Sequence, residues 1–439
     1  MIANHIPLLS PLSPLSPSRA IPDWRAAHQR PRHLYLHIPF CHRRCAYCDF
    51  NTYANMDDRM EAYVDALCAE LAALQAMPLA IGSHIAGGPG LLRGDILPTV
   101  FLGGGTPSML PLPLIERVLR AADALIPLAG AEVTIEANPG TVLGREYLRD
   151  LRSLGINRIS MGVQSLHDPT LRVLGRIHTA AEARSSYEDA RAVGFDSINL
   201  DFIFGLPGQT QEQWRATLDE IVTWQADHFS LYSLILEAST PLYAQVTSGR
   251  ISIPDDDEAG AMYERAIDQL GAAGYVQYEI SNWARDTQRP QHPASGSQLR
   301  YKAPTLPTHA CHHNVAYWLN VDYLACGAGA HGHLYPRRYA DALGIDDYIR
   351  RVSLGEVISE VTELSPHDMA AETMFMGLRL TAGVAEAHFR ERCGSALDDI
   401  YGVELAELAT QGLIERDAIG VRLTERGRML GNRVFERFV

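Results

Sequence analysis

Six short apolar runs, each followed by an amphipathic stretch, constrain this chain more than any other feature. The runs fall at 33–39, 98–103, 132–137, 158–163, 197–203 and 228–234. Helical patterns follow near 57–76, 113–126, 141–154, 179–193 and 210–224, with another at 256–273. The runs are nearly continuous in Val, Ile, Leu and Phe. That pattern suits strands covered by helices on one face and by a packed interior on the other. Strand-then-helix units in series build a parallel sheet, so the expected class is α/β, curved as a full or partial barrel.

The strand ends carry residues that pack poorly. The second run ends in Gly103-Gly104-Gly105-Thr106-Pro107, the third in Glu136-Ala137-Asn138-Pro139 and the fourth in Gln164-Ser165. The fifth contains Asp201 and leads into Gly205-Leu206-Pro207-Gly208. In a parallel barrel these ends gather at one mouth, where active sites sit.

Composition narrows the class. The chain has 439 residues, 46% of them hydrophobic, enough for one large core and a smaller domain. Its net charge of −14 repels phosphate and argues against a general nucleic-acid binder. No apolar run has the length of a membrane span, so no stable membrane insertion is expected. Seven cysteines, four of them scattered, fit a reducing cytoplasm better than a disulfide framework. Residues 1–30, with Leu-Ser-Pro repeated and prolines breaking the apolar stretches, read as a disordered extension. Residues 78–97 and 284–309 are rich in Gly and Pro and read as inserted loops.

One loop carries explicit metal chemistry. Cys41, Cys45 and Cys48 follow a strand with spacing C-x3-C-x2-C. Thiolates suit iron–sulfur clusters and zinc. A [4Fe–4S] cube held by three cysteines leaves one iron open to chelate S-adenosylmethionine, the cofactor carrying the chemistry. Two other readings stand beside it: a buried helix stripe of cysteines, and zinc completed by His42 or Asp49. Pro39 before the loop and His42-Arg43-Arg44 within it favour an exposed loop over a buried stripe. At the mouth, Gly103-Gly104-Gly105 permits close backbone approach, though a plain turn reads equally well there. Glu136 and Asp201 can meet hydroxyl or ammonium groups, or can be ordinary solvated charges. Gln164 and the forked guanidinium of Arg176 can reach a carboxylate.

The phrases Tyr35-Leu36-His37-Ile38-Pro39-Phe40-Cys41, Gly103–Ser108, Gly162-Val163-Gln164-Ser165, Asp201–Pro207 and Met376-Gly377-Leu378-Arg379 resemble the radical S-adenosylmethionine superfamily, and within it the oxygen-independent coproporphyrinogen III oxidase group. The resemblance runs from about residue 33 to the end. It implies a partial (β/α)6 barrel with a C-terminal helical domain. It also implies cluster ligation by Cys41, Cys45 and Cys48. Adenosylmethionine contacts would come from Tyr35, Tyr47, Gly104, Gly105, Thr106, Glu136, Gln164, Arg176 and Asp201. Some of these serve a second adenosylmethionine in the oxidase, and the sequence leaves open whether that site exists here.

Two details separate branches of that group. The oxidase pattern has a fourth cysteine two positions after the third, where this chain has Phe50. The phrase His313-Asn314-Val315-Ala316-Tyr317-Trp318 is similar to that of the HemW branch, heme chaperones that bind heme and pass it to acceptor proteins. On that resemblance the expected partners are heme and an acceptor protein; pairing with a second copy stays open. His313 can be an axial heme ligand with Tyr317 and Trp318 stacked on the porphyrin, or it can hydrogen-bond within a loop whose aromatics are core. The expected organisation is the extension at 1–30, a barrel over 31–280, a flanking segment over 281–360, and a winged-helix-like domain over 361–439 without an obvious basic stripe.

Overall fold

In the computed structural model, described for residues 29–76, 80–81, 96–140, 144–287 and 306–439, the six runs are six parallel strands. They are β1 (His33–Ile38), β2 (Thr99–Gly104), β3 (Glu132–Ala137), β4 (Arg158–Gln164), β5 (Ser197–Phe204) and β6 (His228–Ser233). The intervening helices are α1 (Met60–Ala76), α2 (Leu112–Leu125), α3 (Arg145–Ser153), α4 (Asp168–Leu174), α5 (Ala180–Val193) and α6 (Gln211–Trp224). Their starts follow local chemistry. Thr179 and Glu182 form a capping box at α5, and Thr210 and Gln213 do the same at α6. Gly194 ends α5 in a left-handed conformation at φ 84°.

After β6 come α7 (Pro241–Thr247) and α8 (Asp256–Ala272), and the sheet extends beyond the six strands. β7 (Tyr275–Glu279) and β8 (Asn282–Arg285) form an antiparallel pair, with β8 against β6. At the other side, β9 (Leu324–Cys326) adds parallel to β1, Leu324 facing Leu34. The strand order is β7-β8-β6-β5-β4-β3-β2-β1-β9. The two outer strands do not pair with each other, so the barrel is partial.

Alternation along the strands separates two faces. Leu34, Leu36, Val100, Leu102, Ile135, Ile159, Leu200 and Phe229 are buried in the main core with residues of the surrounding helices. The inner face departs from the packed interior expected of such apolar runs. Glu136, Arg158, Ser160, Asn199, Asp201, His228 and Ser230 line a cavity of about 240 Å³. Five of them are buried and Glu136 and Asp201 partly so, and they bond largely to one another.

The tip of the 78–97 insertion and the centre of the 284–309 insertion lie outside the described residues, as does residues 1–28 of the expected extension. The second insertion is tied at its base, where His309 N donates to the Arg285 carbonyl at 3.2 Å. The next element is α9 (His312–Trp318), packed on β2. Toward the C-terminus, helices Pro366–Gly377, Glu386–Cys393 and Leu397–Thr410 accompany a three-stranded antiparallel sheet of Val384–Ala385, Ile414–Arg416 and Gly420–Leu423. This is the expected winged-helix-like arrangement.

Candidate functional site

β1 delivers the cysteine loop to the mouth. Gly105 N donates to the Ile38 carbonyl at 2.9 Å and Thr106 N to the Phe40 carbonyl at 2.8 Å, joining the glycine run to the strand that leads into Cys41. A Cβ on Gly105 would stand 2.5 Å from the Phe40 carbonyl oxygen, so only glycine permits this approach. Gly104 has φ +113°, and its backbone N–H donates to Glu136 Oε2 at 3.0 Å.

The three cysteines are half-buried free thiols. Arg176 Nη1 donates to Cys45 Sγ at 3.6 Å, and Thr106 Oγ1 lies 3.7 Å from Cys41 Sγ. The far side of the loop is anchored where Ala46 N donates to the Leu174 carbonyl at 2.9 Å. Among the described residues, no three His, Cys, Asp or Glu side chains converge as a single ion requires. Three soft thiolates on one loop are a donor set that suits an iron–sulfur cube. Burial pushes the Cys41 thiol up to about 11, opposed by Thr106 and, more weakly, by Arg176.

The remaining expected contacts gather behind the loop. Arg176 Nη2 donates to Asn138 Oδ1 at 2.6 Å and also to the Gly162 carbonyl. Asn138 in turn donates to Thr106 Oγ1 at 2.8 Å. Gln164 ends β4 with φ 67° at a register shift between β4 and β5. Asp201 accepts from Ser160 Oγ at 2.9 Å and Asn199 Nδ2 at 2.8 Å. Burial raises its carboxyl above the usual range even so. Burial, with nearby Asp201, pushes Glu136 up to about 7. Tyr47 packs with Leu174, Ile203 and Leu242. Tyr35 donates to His37 Nδ1 at 3.0 Å, and His37 Nε2 donates to the Asn51 carbonyl at 2.9 Å.

Phe50 projects from the loop, 70% exposed. His313 lies elsewhere than a mobile loop would place it. It sits in the first turn of α9, 2% exposed, and lines the inner cavity. Its Nδ1 is 2.6 Å from Thr99 Oγ1 and its Nε2 is 2.9 Å from the Tyr317 hydroxyl. Tyr35 and Phe101 stack on its ring. An iron at either nitrogen would have to displace one of those hydroxyls, so this conformation is poorly suited to axial ligation. Ser160 and Asn51 escaped the sequence reading, and Asn138 and Asn199 stood out only as strand residues without a role. Each is a polar residue in or just beyond an apolar run or next to the cysteine loop, and that mismatch was the available signal.

Residues 35–221 match the Radical SAM superfamily, and residues 364–430 match the HemN C-terminal domain. The heme chaperone HemW of Bacillus subtilis is 35% identical over 413 residues, covering 92% of this chain and 98% of that protein. The chain belongs to the HemW family of radical SAM proteins. A mouse mitochondrial protein named radical S-adenosyl methionine domain-containing protein 1 is 34% identical over 90% of this chain and 84% of its own length. The fold also matches the solved coproporphyrinogen III oxidase HemN of Escherichia coli, with TM-score 0.73 and 24% identity over 94% of this chain and 92% of that one. Radical SAM membership implies a [4Fe–4S] cluster and adenosylmethionine as the resident cofactors, and the thiols and mouth residues of this HemW-family chain fit that pair. No helix among the described residues is long and apolar enough to cross a membrane.

Proposed function

We propose that this chain binds a [4Fe–4S] cluster through Cys41, Cys45 and Cys48, binds S-adenosylmethionine beside it, and binds heme for transfer to an acceptor protein. The observation that carries the heme part is the likeness to HemW of Bacillus subtilis across 98% of that protein's length. Phe50, standing where the related oxidase has a fourth cysteine, supports the same choice. When bound, the cluster supplies electrons to the sulfonium of adenosylmethionine.

The chain's own residues have distinct roles in this reading. Arg176 and Thr106 lie against sulfurs of the loop and hold it to the barrel mouth. Gly104 and Gly105 let ligand and loop approach the backbone. Glu136 and Asp201, both raised by burial, are relieved by a cationic ligand, because opposite charge favours the ionised carboxylate. Tyr35 is fixed by its bond to His37 and forms an aromatic wall. Gln164 and Tyr47 border the same mouth. This assignment organises the chain as a barrel over 31–280, a flanking segment over 281–360 and a C-terminal unit over 361–439.

The test is an anaerobic assay of reconstituted protein with adenosylmethionine, run beside a heme titration. Stoichiometric heme binding, with transfer to an apo-acceptor and no turnover of coproporphyrinogen III, is the expected result. Multiple turnovers of coproporphyrinogen III would overturn the chaperone reading in favour of oxidative decarboxylation. For His313, replacement by Ala and a repeat titration decides its part. A weakened or shifted Soret band assigns the ligand there, and an unchanged titration removes His313 from the heme site.

A further inference from the structure

A buried arginine with no hydrogen bond or ion pair among the described residues lies on the floor of the barrel. Arg158 opens β4, six residues before Gln164 at the mouth. At ~3.3 Å per residue, that puts it about 20 Å down the strand. It is 3% exposed, and its Nε is enclosed with no hydrogen-bond partner. The rest of its guanidinium lines the cavity and makes no hydrogen bond or ion pair with any described residue. Burial opposes its charge, while Cys311, Glu132, Tyr278 and Asp201 favour it from a distance and hold the guanidinium above its usual range.

The neighbouring polar groups are committed to each other. His228 is bonded through both ring nitrogens, to Asn199 at 2.7 Å and to the Tyr278 hydroxyl at 2.8 Å. The Asn199 amide donates to Ser160 and Asp201, and the Asn282 amide donates to Glu279. Glu132 receives the backbone N–H groups of His312 and His313. The lining is therefore satisfied around a cation that is not. A buried charge in a low-dielectric interior is strongly unfavourable unless something pairs with it. Of the two acidic groups on the cavity wall, Glu136 is pushed up to about 7 and Asp201 is raised as well, so neither is a ready counter-charge.

The geometry points to a second small-molecule subsite on the barrel floor, in which Arg158 pairs with a carboxylate. The planar guanidinium fork matches a carboxylate in two parallel hydrogen bonds. A phosphate, with more negative charge, would be opposed by Glu132 beneath. The volume admits an acid group on a short chain rather than a whole macrocycle. Cys41, Cys45 and Cys48 lie at the opposite end of the strands, so this subsite stands or falls separately from the cluster assignment.

Thermal unfolding of the full chain tests it, in sodium propionate against sodium chloride at equal ionic strength. The expected result is a saturable rise in Tm with propionate that chloride does not produce and that Arg158→Met abolishes. Without ligand, Arg158→Met is expected to unfold no lower than the parent, because it removes an unpaired buried charge. If that variant fails to fold, Arg158→Lys replaces it. Lysine keeps the charge but loses the fork, and propionate affinity should fall about tenfold. A parent protein that responds equally to both salts, or an Arg158→Met response equal to the parent's, overturns the proposal. A further arm separates sources of the acid group. Tighter binding of hemin than of its dimethyl ester, lost on substitution of Arg158, assigns the site to a tetrapyrrole side arm. A propionate response without that preference assigns it to a free small acid.

Discussion

Cys45 differs from its two partners in accepting a hydrogen bond from a buried arginine, Arg176. Cys45→Ser replaces a soft ligand with a hard, poorly ionised one. Half-buried and outside the main core, Cys45 contributes little to packing. The brown absorbance after anaerobic reconstitution should be lost while far-ultraviolet circular dichroism stays unchanged, and full iron content in the variant would refute cluster ligation by this loop. Glu136 makes a second residue-scale prediction. Burial, with Asp201, lifts its carboxyl to about 7 from an ordinary value of 4.5. Between those values the folded protein holds a proton that the unfolded chain has released. Stability therefore falls as pH rises through that window. Glu136→Gln should remove that loss, making the cofactor-free protein more stable at pH 8 by up to about 3 kcal/mol, with little change near pH 4. Denaturant unfolding at the two pH values checks it; an equal effect at both would show that Glu136 does not titrate this way.

At the scale of elements, α9 shows why part of the site was legible in the sequence and part was not. Its first N–H groups, from His312 and His313, are taken by Glu132 on β3 at 3.0 Å each. That side chain does the work of an N-cap from 180 residues away, supported by the helix dipole. Glu132→Ala strips both bonds and should cost about 1–3 kcal/mol. Hydrogen exchange should quicken first over residues 312–318, and uniform protection across the barrel would contradict this role for Glu132. No local pattern announces such a cap, so the histidine motif was readable but its place inside the barrel was not. The same holds for β9. Three residues are too few for periodicity, and their pairing to β1 bridges 290 positions. By contrast, β1 to β6 and α1, α2, α3, α5 and α6 were legible because long apolar runs and amphipathic stretches encode them locally, whereas the seven-residue α4 was not read. Glu136 and Asp201 were legible as charges interrupting those runs. Ser160, Asn199 and His228 interrupt the same runs at alternate positions, yet a reading of near-continuous hydrophobicity absorbed them into a packed interior.

Across the whole molecule, the C-terminal unit is joined to the barrel side by buried polar contacts as well as by apolar packing. Arg338 donates to both oxygens of Glu372, at 2.7 and 2.8 Å, and to Asn320 Oδ1 at 3.1 Å. Arg379 stacks over Trp318 at the end of α9, 4.3 Å from the ring centroid. Glu372 is itself buried, so removing Arg338 leaves a carboxylate in the interior with its main counter-charge gone. Breaking a buried pair from one side costs about 3–5 kcal/mol. Arg338→Ala should therefore loosen the helix Pro366–Gly377 and the strands that follow while the cysteine loop, which follows β1 and makes no contact with Arg338 or Glu372, keeps its geometry. Calorimetry should resolve a low-temperature transition ahead of the barrel's, and reconstituted iron content should stay at the parental value. Replacing both partners, Arg338→Met with Glu372→Leu, restores a neutral contact and should recover most of the lost stability. A single unshifted transition in Arg338→Ala would mean that apolar packing alone holds the two parts together.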